Sequence, residues 1–153
     1  MAPTTSDRVD VVAIDATATR ALRLRVLRFG APEDSVDFPG DHAADSAHFG
    51  ARFSSGDLLS VGSVICEPAP WAPTKRAWRI RGMATAPEVR SQGHGARVLA
   101  AIMEHVDRHG GGFVWCNART PAVRFYERAG FVTRGEPWDD PEVGPHVAMW
   151  RTL

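Results

Sequence analysis

The chain has 153 residues, and its 18 basic and 18 acidic side chains give a formal net charge of zero. This balance argues against general binding to nucleic acid or anionic lipid, and no apolar run is long enough to cross a bilayer. The length suits one domain over residues 1–153, the start lacks the layout of a signal peptide, and two separate cysteines make no metal site, so we expect a cytosolic protein without a metal.

The first predicted helix combines an apolar face with an arginine-rich face. It spans residues 17–28 and follows a frayed, flexible stretch over residues 1–8 and a strand over residues 9–14. The apolar face is predicted from helical spacing and comprises Leu22, Val26 and Phe29. The arginines predicted to face solvent are Arg20, Arg23 and Arg28.

An acidic loop and a β-hairpin follow this helix. Residues 30–46 are rich in aspartate and are predicted to be a loop, in which a short helical turn could be hidden. The runs over residues 48–53 and 58–66 predict two strands, which a turn containing serine and glycine joins.

The second half of the chain alternates strands with helices. Strands are predicted over residues 78–86 and 113–117, on either side of a strongly amphipathic helix over residues 95–109. A shorter helix follows, and its predicted N-cap is Thr120, with Pro121 in the first turn.

The last strands complete the expected fold class. They are predicted over residues 131–135 and 146–151, after a glycine that ends the shorter helix. Strands and helices alternate in the second half, and hairpins occur at both ends. This arrangement predicts an α/β domain of mixed α+β character with a mixed sheet.

A glycine-rich loop lies between a strand and the clearest helix. It comprises Arg90, Ser91, Gln92, Gly93, His94, Gly95 and Ala96. Glycines let a ligand approach without meeting a Cβ, and the free N–H groups and dipole of the following helix favour a phosphate. Two other phosphate motifs fail, because no Gly-Lys-Ser/Thr is present and Val98 stands where a dinucleotide fingerprint needs glycine. The loop therefore predicts an anion site, and a purely steric role for its glycines is the alternative.

The motifs in and around this loop resemble those of the GNAT N-acetyltransferase superfamily in their order and spacing. Arg90, Gly93 and Gly95 match the Arg/Gln-x-x-Gly-x-Gly/Ala pattern of the family's acetyl-CoA loop. Residues 81–85 resemble the family's fourth strand, and residues 117–131 resemble its second signature. The resemblance implies the GNAT fold, in which helices flank a mixed central sheet and two parallel strands splay apart.

The resemblance also implies where acetyl-CoA binds as a cosubstrate. Its pyrophosphate would rest on the N–H groups of residues 90–96, and its pantetheine arm would lie between the two splayed strands. A backbone N–H near Met83 or Ala84 would polarise the thioester carbonyl, and Asn117 and Tyr126 would lie near the cofactor. A primary amine, on a small molecule or a peptide, would then attack directly, without a covalent enzyme intermediate.

The reaction needs a proton donor and a proton acceptor. By resemblance Tyr126 is the acid that protonates the leaving thiolate, and a core role on its helix face is the alternative. The family's usual fourth-strand glutamate is missing, because residues 78–81 read Trp-Arg-Ile-Arg. Candidate bases are Glu67 and His146, each with a surface or capping role as the alternative, and a water chain could also serve.

The acceptor site and the assembly are expected from the same resemblance. The acidic loop precedes the first hairpin, where the family forms its acceptor wall, so Asp41 and His42 are candidate substrate-binding residues. A solvated acidic run is the alternative. The missing glutamate keeps open a second function, that of a non-catalytic acyl-CoA-binding sensor. Dimers are common in the family, so a homodimer is expected, and no nucleic-acid or membrane partner is.

Overall fold

The computed structural model describes residues 8–54, 56–72, 76–141 and 143–153. Within these ranges one mixed sheet has the strand order β1-β2-β3-β4-β5-β7-β6. The strands are β1 (Val9–Ile14), β2 (Ala47–Phe53), β3 (Leu58–Cys66), β4 (Ala77–Thr85), β5 (Phe113–Arg119), β6 (Val132–Asp140) and β7 (Gly144–Thr152). β4 and β5 pair in parallel, and the other neighbours pair antiparallel. The predicted mixed sheet is confirmed.

Three α-helices and several short helical turns connect the strands in the described part of the chain. The α-helices are α1 (Arg20–Leu22), α2 (His94–Arg108) and α3 (Val123–Arg128). The other turns are 3-10 turns at Ala16–Thr19, Glu33–Val36, Pro87–Val89 and Thr120–Ala122 and a π turn at Arg23–Leu27. The first helical segment is thus continuous over residues 16–27, and the acidic loop does contain a short turn. Among the described residues, no helix combines the length and apolar character needed to span a membrane.

The helices lie on both faces of the sheet. The contacts of two neighbouring residues of β3 show which helix covers each face. A Cβ added at Gly62 would lie 3.0 Å from Val98 Cγ1, so glycine lets α2 pack closely on the sheet. The next residue, Ser63, accepts a hydrogen bond from Arg23 of the first helical segment. Because successive side chains of a strand point to opposite faces, α2 and the first helical segment cover opposite faces. α3 shares the main hydrophobic core with α2.

A β-bulge bends β4 at its middle. The register with β3 shifts between Val61 and Ser63, where β4 carries one extra residue. Gly82 in this bulge has a φ of 65°, in the left-handed region that glycine adopts most readily. A Cβ added at Gly82 would also lie 2.7 Å from Arg23 Nε, so the bulge requires glycine for two reasons.

β4 and β5 form a fork. They pair over the first three residues of each strand, ending at Arg79 and Trp115. Beyond this point β4 continues to Thr85 and β5 to Arg119 without pairing with each other. The structure therefore confirms the two splayed parallel strands.

The predicted faces of the first helix are wrong at two positions. Arg23 was expected in solvent but is fully buried, because Asp41 and the Val36 carbonyl accept its hydrogen bonds. Phe29 was expected in the core but is 88% exposed, because the helical segment ends at Leu27. Both errors arise where the acidic loop, which has no sequence periodicity, meets the helix.

The predicted cap of the last helix is also wrong. Thr120 begins the 3-10 turn instead of preceding it, and no side chain caps the turn. Pro121 lies in this first turn as predicted, where a missing N–H costs no hydrogen bond. β6 continues to Asp140, beyond its predicted end at residue 135. The expected frayed start lies outside the described residues apart from Arg8.

Candidate active site

A cleft of about 390 Å³ opens where β4 and β5 separate. β4 lines it with residues 79–85, β5 with residues 117–119, and α3 with Phe125 and Tyr126. The predicted site residues that the structure brings together here are Met83, Ala84, Gly95, Asn117, Tyr126 and His146. Candidates for donor binding and for both proton transfers therefore meet in one cleft.

A second, larger groove of about 1060 Å³ lies beside β1, β2 and α2. Asp41 and His42 line this groove and do not line the cleft at the fork. The structure therefore separates the two candidate acceptor-binding residues from the other predicted site residues. We take the smaller cleft, where those other residues converge, as the candidate active site.

The glycine-rich loop leads into α2 and leaves the start of that helix uncapped. Gly93 precedes the helix with a φ of 85°, and Ser91 also has a left-handed φ of 64°. No side chain caps the helix start, so the N–H groups of its first turn have no partner within the helix. Residues 90–93 are exposed, and a Cβ added at Gly93 would meet no atom within 4 Å. Exposed amides at the positive end of a long helix favour an anion.

The first turn of α2 packs against the open end of the fork. A Cβ added at Gly95 would lie 3.2 Å from Thr85 Oγ1 and 3.3 Å from Phe125 Cε1, so glycine permits close contact with β4 and α3. His94 is buried, and its Nδ1 has no hydrogen-bond partner among the described residues. Ala96 is exposed on the same turn.

β4 has a free backbone edge inside the cleft. Beyond Arg79, the side of β4 that faces β5 has no ladder partner, so its N–H and C=O groups can pair with an extended ligand. Met83 and Ala84 lie in this stretch, next to the bulge, and both line the cleft. The edge can hold an extended chain in the way that it would hold an added strand.

Tyr126 is buried in α3 and lines the cleft. Its ring packs edge-on against Phe125 and Phe131, with centroid distances of 5.0 and 5.7 Å. Burial, with a smaller contribution from Cys116, raises the pKa of Tyr126 well above its usual value. The phenol therefore stays protonated at neutral pH and can act as a proton donor in the cleft.

His146 lines the cleft with a defined tautomer. Its Nδ1 lies 2.8 Å from the Gly144 carbonyl oxygen, which can only accept a hydrogen bond. Nδ1 therefore carries the hydrogen, and Nε2 of the neutral ring has a free lone pair. The ring stacks on Trp138 at a centroid distance of 5.9 Å, which orients it. This arrangement suits a proton acceptor.

Glu67, the other candidate base, is already bound to an arginine. Its Oε2 lies 2.7 Å from Arg79 Nη1, and its backbone carbonyl accepts a hydrogen bond from Trp115 Nε1. Glu67 is not among the residues that line the cleft, although Arg79 is. The structure therefore places His146 in the cleft. Glu67 does not line the cleft, and it forms an ion pair with Arg79.

Asp41 belongs to a buried ion pair with Arg23. The two side chains are 3% and 0% exposed, and Arg23 Nη1 lies 2.7 Å from Asp41 Oδ2. The Phe38 N–H also donates to Oδ2 at 2.9 Å. Burial raises the pKa of Asp41, but these hydrogen bonds and the charge of Arg23 outweigh burial and hold the pKa below its usual value. Asp41 therefore fixes the acidic loop, and its carboxylate is not available to a ligand in the cleft.

His48 extends this buried network. Its Nε2 lies 2.8 Å from the Asp41 carbonyl oxygen, so Nε2 carries the hydrogen. Nδ1 then accepts a hydrogen bond from the Ser63 hydroxyl at 2.6 Å, and Ser63 Oγ accepts one from Arg23 at 2.9 Å. His42, in contrast, is exposed.

The sequence analysis missed the cationic character of the cleft. The arginines that line it are Arg28, Arg79, Arg81 and Arg119. Burial and then the charge of Arg79 lower the pKa of Arg81 to about 10. Burial also lowers the pKa of Arg119, and Arg28 adds to this effect. The available signal was the alternation Arg79-Ile80-Arg81, which puts both arginines on one face of β4.

Comparison with known proteins agrees with this geometry. The model of the acetyltransferase (GNAT) family matches residues 19–131. The chain is 34% identical over 148 residues to the uncharacterized N-acetyltransferase YitI of Bacillus subtilis strain 168. That alignment covers 95% of this chain and 97% of YitI.

Solved structures share the fold at lower identity. An acyl-CoA N-acyltransferase from Pseudomonas aeruginosa has a TM-score of 0.73 at 22% identity, over 94% of this chain and 99% of that chain. ElaA from Escherichia coli has a TM-score of 0.74 at 17% identity, over the same shares of 94% and 99%. These likenesses show the fold, and the family match together with YitI shows membership. The chain belongs to the GNAT acetyltransferase family and is an acyltransferase.

Proposed function

We propose that the protein transfers an acetyl group from acetyl-CoA to a primary amine, by direct attack within a ternary complex. One observation carries this proposal: the fork between β4 and β5 has the uncapped start of α2 at its open end and Tyr126 and His146 along its sides. The single-domain organisation, the cytosolic location and the homodimer stay predictions from the sequence.

The donor fits the fork from its open end. The N–H groups that follow Gly93 would bind the pyrophosphate, and Arg90 would add a charge-assisted hydrogen bond. The pantetheine arm is an extended chain with its own amides, so it would pair with the free edge of β4 beside Met83 and Ala84. Backbone N–H groups near the bulge would stabilise the oxyanion that forms on the thioester carbonyl.

The proposed acid and base approach the fork from opposite faces of the sheet. Tyr126 shares the main core with Val147 and Met149 of β7. His146 precedes Val147 in the same strand, so its side chain points to the other face. This separation lets one group deprotonate the incoming amine while the other protonates the departing thiolate.

The tautomer of His146 and the protonation state of Tyr126 suit these roles. His146 Nε2 has the free lone pair that can take a proton from the ammonium group of the acceptor. Tyr126 keeps its proton at neutral pH because its pKa is raised, so it can protonate the thiolate of coenzyme A. His146 is therefore the proposed base in place of the missing fourth-strand glutamate.

A turnover assay tests the proposal. Purified protein is mixed with acetyl-CoA and a broad panel of primary amines, and the free thiol of coenzyme A is measured. We expect turnover with at least one amine and no acetylated protein in intact-mass spectra after incubation with acetyl-CoA alone. Tight binding of coenzyme A without turnover would support the sensor function instead, and absence of binding in calorimetry would overturn both.

A further inference from the structure

The acceptor side of the cleft carries an excess of positive charge. Among the described residues that line the cleft, the arginines are Arg28, Arg79, Arg81 and Arg119, and the carboxylate is Asp140. Glu67 compensates Arg79, and Arg119 donates to the neutral carbonyl of Leu27. The carboxylate of Asp140 acts to raise the pKa of Arg119, so it offsets part of that charge.

Arg81 stands out because no described residue accepts a hydrogen bond from it. Its guanidinium lies over the Phe38 ring, 4.7 Å from the centroid, and it is half-buried. Arg79 next to it has a buried Nε without an acceptor in the described part of the chain. Burial and the neighbouring arginine lower the pKa of Arg81 to about 10, so it is still charged at neutral pH and gains from an anion.

These arginines lie on the face that also carries His146. Arg81 pairs with Ser63 of β3, whose side chain meets the first helical segment, and Arg79 shares this face by alternation. His146 lies on the same side, because its neighbour Val147 points into the main core. The positive charges are therefore on the amine side of the fork, while the proposed pyrophosphate site lies beyond the other end of β4, at residues 90–96.

We propose, on the basis of the acetyl transfer proposed above, that the acceptor is a small amine that also carries a carboxylate, as an α-amino acid does. Arg81 binds the carboxylate with two parallel N–H···O hydrogen bonds, with Arg79 adding charge. His146 takes the ammonium proton, and the amine nitrogen forms a bond to the thioester carbon. The carbon–sulfur bond breaks and Tyr126 protonates the thiolate. The attacking nitrogen loses its second proton, which restores the Tyr126 phenol by way of solvent. The products are an N-acetylamino acid, coenzyme A and the proton taken up by His146.

The sequence suggested a negatively charged acceptor site, whereas this proposal makes the acceptor site positively charged. The acidic loop indicated carboxylates that would hold a cation, but Asp41 is committed to Arg23 and His42 lines the other groove. Guanidinium groups in the cleft favour an anion instead. They also disfavour polyamines and other purely cationic acceptors, because like charges repel in a partly buried site.

Matched pairs of acceptors test the substrate class. Each α-amino acid of a panel is compared with its α-amino amide, which has the same shape without the negative charge. The amine of an amide is less basic, so more of it is neutral, and this bias runs against the expected result. We expect kcat/KM to be about 10- to 100-fold higher for the preferred amino acid than for its amide, as a charged hydrogen-bonded pair typically gives.

Two arginine variants test whether Arg81 in the cleft causes the preference for the amino acid over its amide. Arg81→Gln should lower kcat/KM for the amino acid by the same factor relative to its amide, so that the preference disappears. Arg108→Gln is the matched control, because Arg108 is an exposed residue of α2 outside the cleft. Affinity for coenzyme A in calorimetry should be unchanged in both variants.

The outcomes separate this proposal from the proposed acetyl transfer. Turnover of neutral amines or amides at equal or higher kcat/KM would overturn the carboxylate proposal and leave acetyl transfer intact. A preference for α-aminophosphonates over amino acids would overturn it in favour of a phosphate-type anion. Should no amine turn over, calorimetry of N-acetylamino acids with the coenzyme A complex decides, because failure to bind more tightly than the corresponding amides would refute the proposal.

Discussion

At the scale of single residues, His146 permits the most direct test of the base. His146→Gln keeps a side chain beside Trp138 and removes the lone pair that would take the proton. We expect kcat/KM for the amine to fall about 100-fold at neutral pH, as loss of a general base typically does. Affinity for coenzyme A in calorimetry should not change.

His109→Gln is the matched control for this substitution. His109 is exposed near the end of α2, does not line the cleft, and its Nδ1 contacts the His105 carbonyl oxygen one turn earlier. The rate should therefore stay as in the wild type. If His146→Gln also leaves the kinetics unchanged, His146 is not the base, and Glu67 or a water chain becomes the candidate.

Tyr126→Phe distinguishes a proton donor from a packing residue. The substitution keeps the ring contacts with Phe125 and Phe131 and removes the hydroxyl group. We expect kcat to fall about 100-fold, with little change in thermal stability. Because burial raises the pKa of Tyr126, wild-type kcat should not decline until well above pH 10, the usual range of tyrosine. If the ring only packs, kcat will be the same in both proteins.

The sequence predicted candidate cleft residues better than it predicted contacts between residues distant in the chain. Tyr126 and His146 were named from a local motif and from titration chemistry, and both line the cleft. Asp41 was predicted to bind the acceptor and Arg23 to face solvent, although they form a buried pair 18 residues apart in the chain. No local pattern reports such a contact, because it depends on how the acidic loop folds back onto the sheet.

At the scale of elements, the start of α2 should control binding of coenzyme A. Gly93→Glu puts a carboxylate where the amides would meet a phosphate, so we expect calorimetric affinity for coenzyme A to fall at least about 100-fold. Gly56→Glu is the matched control, since Gly56 also has a positive φ and open space around it but lies in the turn between β2 and β3. Both substitutions put a side chain at a positive φ, so equal affinities in the two would contradict the predicted site.

Sequence periodicity predicted the positions of most helices and strands. It did not predict the irregularities in their backbones. The predicted bounds of β1 and β3 coincide with those observed. The π turn at Arg23–Leu27 was not predicted, and the bulge at Gly82 was not either. Arg23 connects the two, because it begins the π turn and its guanidinium occupies the space beside Gly82. Contacts between residues distant in the chain determine such backbone irregularities, so a local sequence pattern does not predict these irregularities.

At the scale of the whole molecule, one ion pair links stability to the shape of the cleft. The ring of Phe38 lies between two guanidinium groups, 4.2 Å from Arg23 and 4.7 Å from Arg81. Phe38 lines the cleft, and its N–H binds Asp41, the partner of Arg23. Any change that breaks the pair of Arg23 and Asp41 should therefore loosen the acidic loop and the cleft wall together.

Stability at low pH should report this ion pair. The pKa of Asp41 is lower in the folded protein than in the unfolded chain, so folding favours the charged carboxylate. Its contribution is complete above the unfolded value of about 4 and is lost as the pH falls through the lower folded value. The free energy of unfolding should therefore decrease below about pH 4, with Asp41 as one cause.

Asp41→Asn tests this coupling by urea unfolding between pH 7 and pH 3. The variant leaves Arg23 buried without a counter-charge, so we expect it to be about 3–5 kcal/mol less stable at pH 7. Its free energy of unfolding should also fall less steeply below pH 4 than that of the wild type, because one titrating group is gone. Asp37→Asn is the control, since it removes only the half-exposed partner of Arg20 and should follow the wild-type profile closely. Parallel profiles for Asp41→Asn and the wild type would mean that the buried pair does not favour the charged carboxylate, and the acidic loop would then need another anchor.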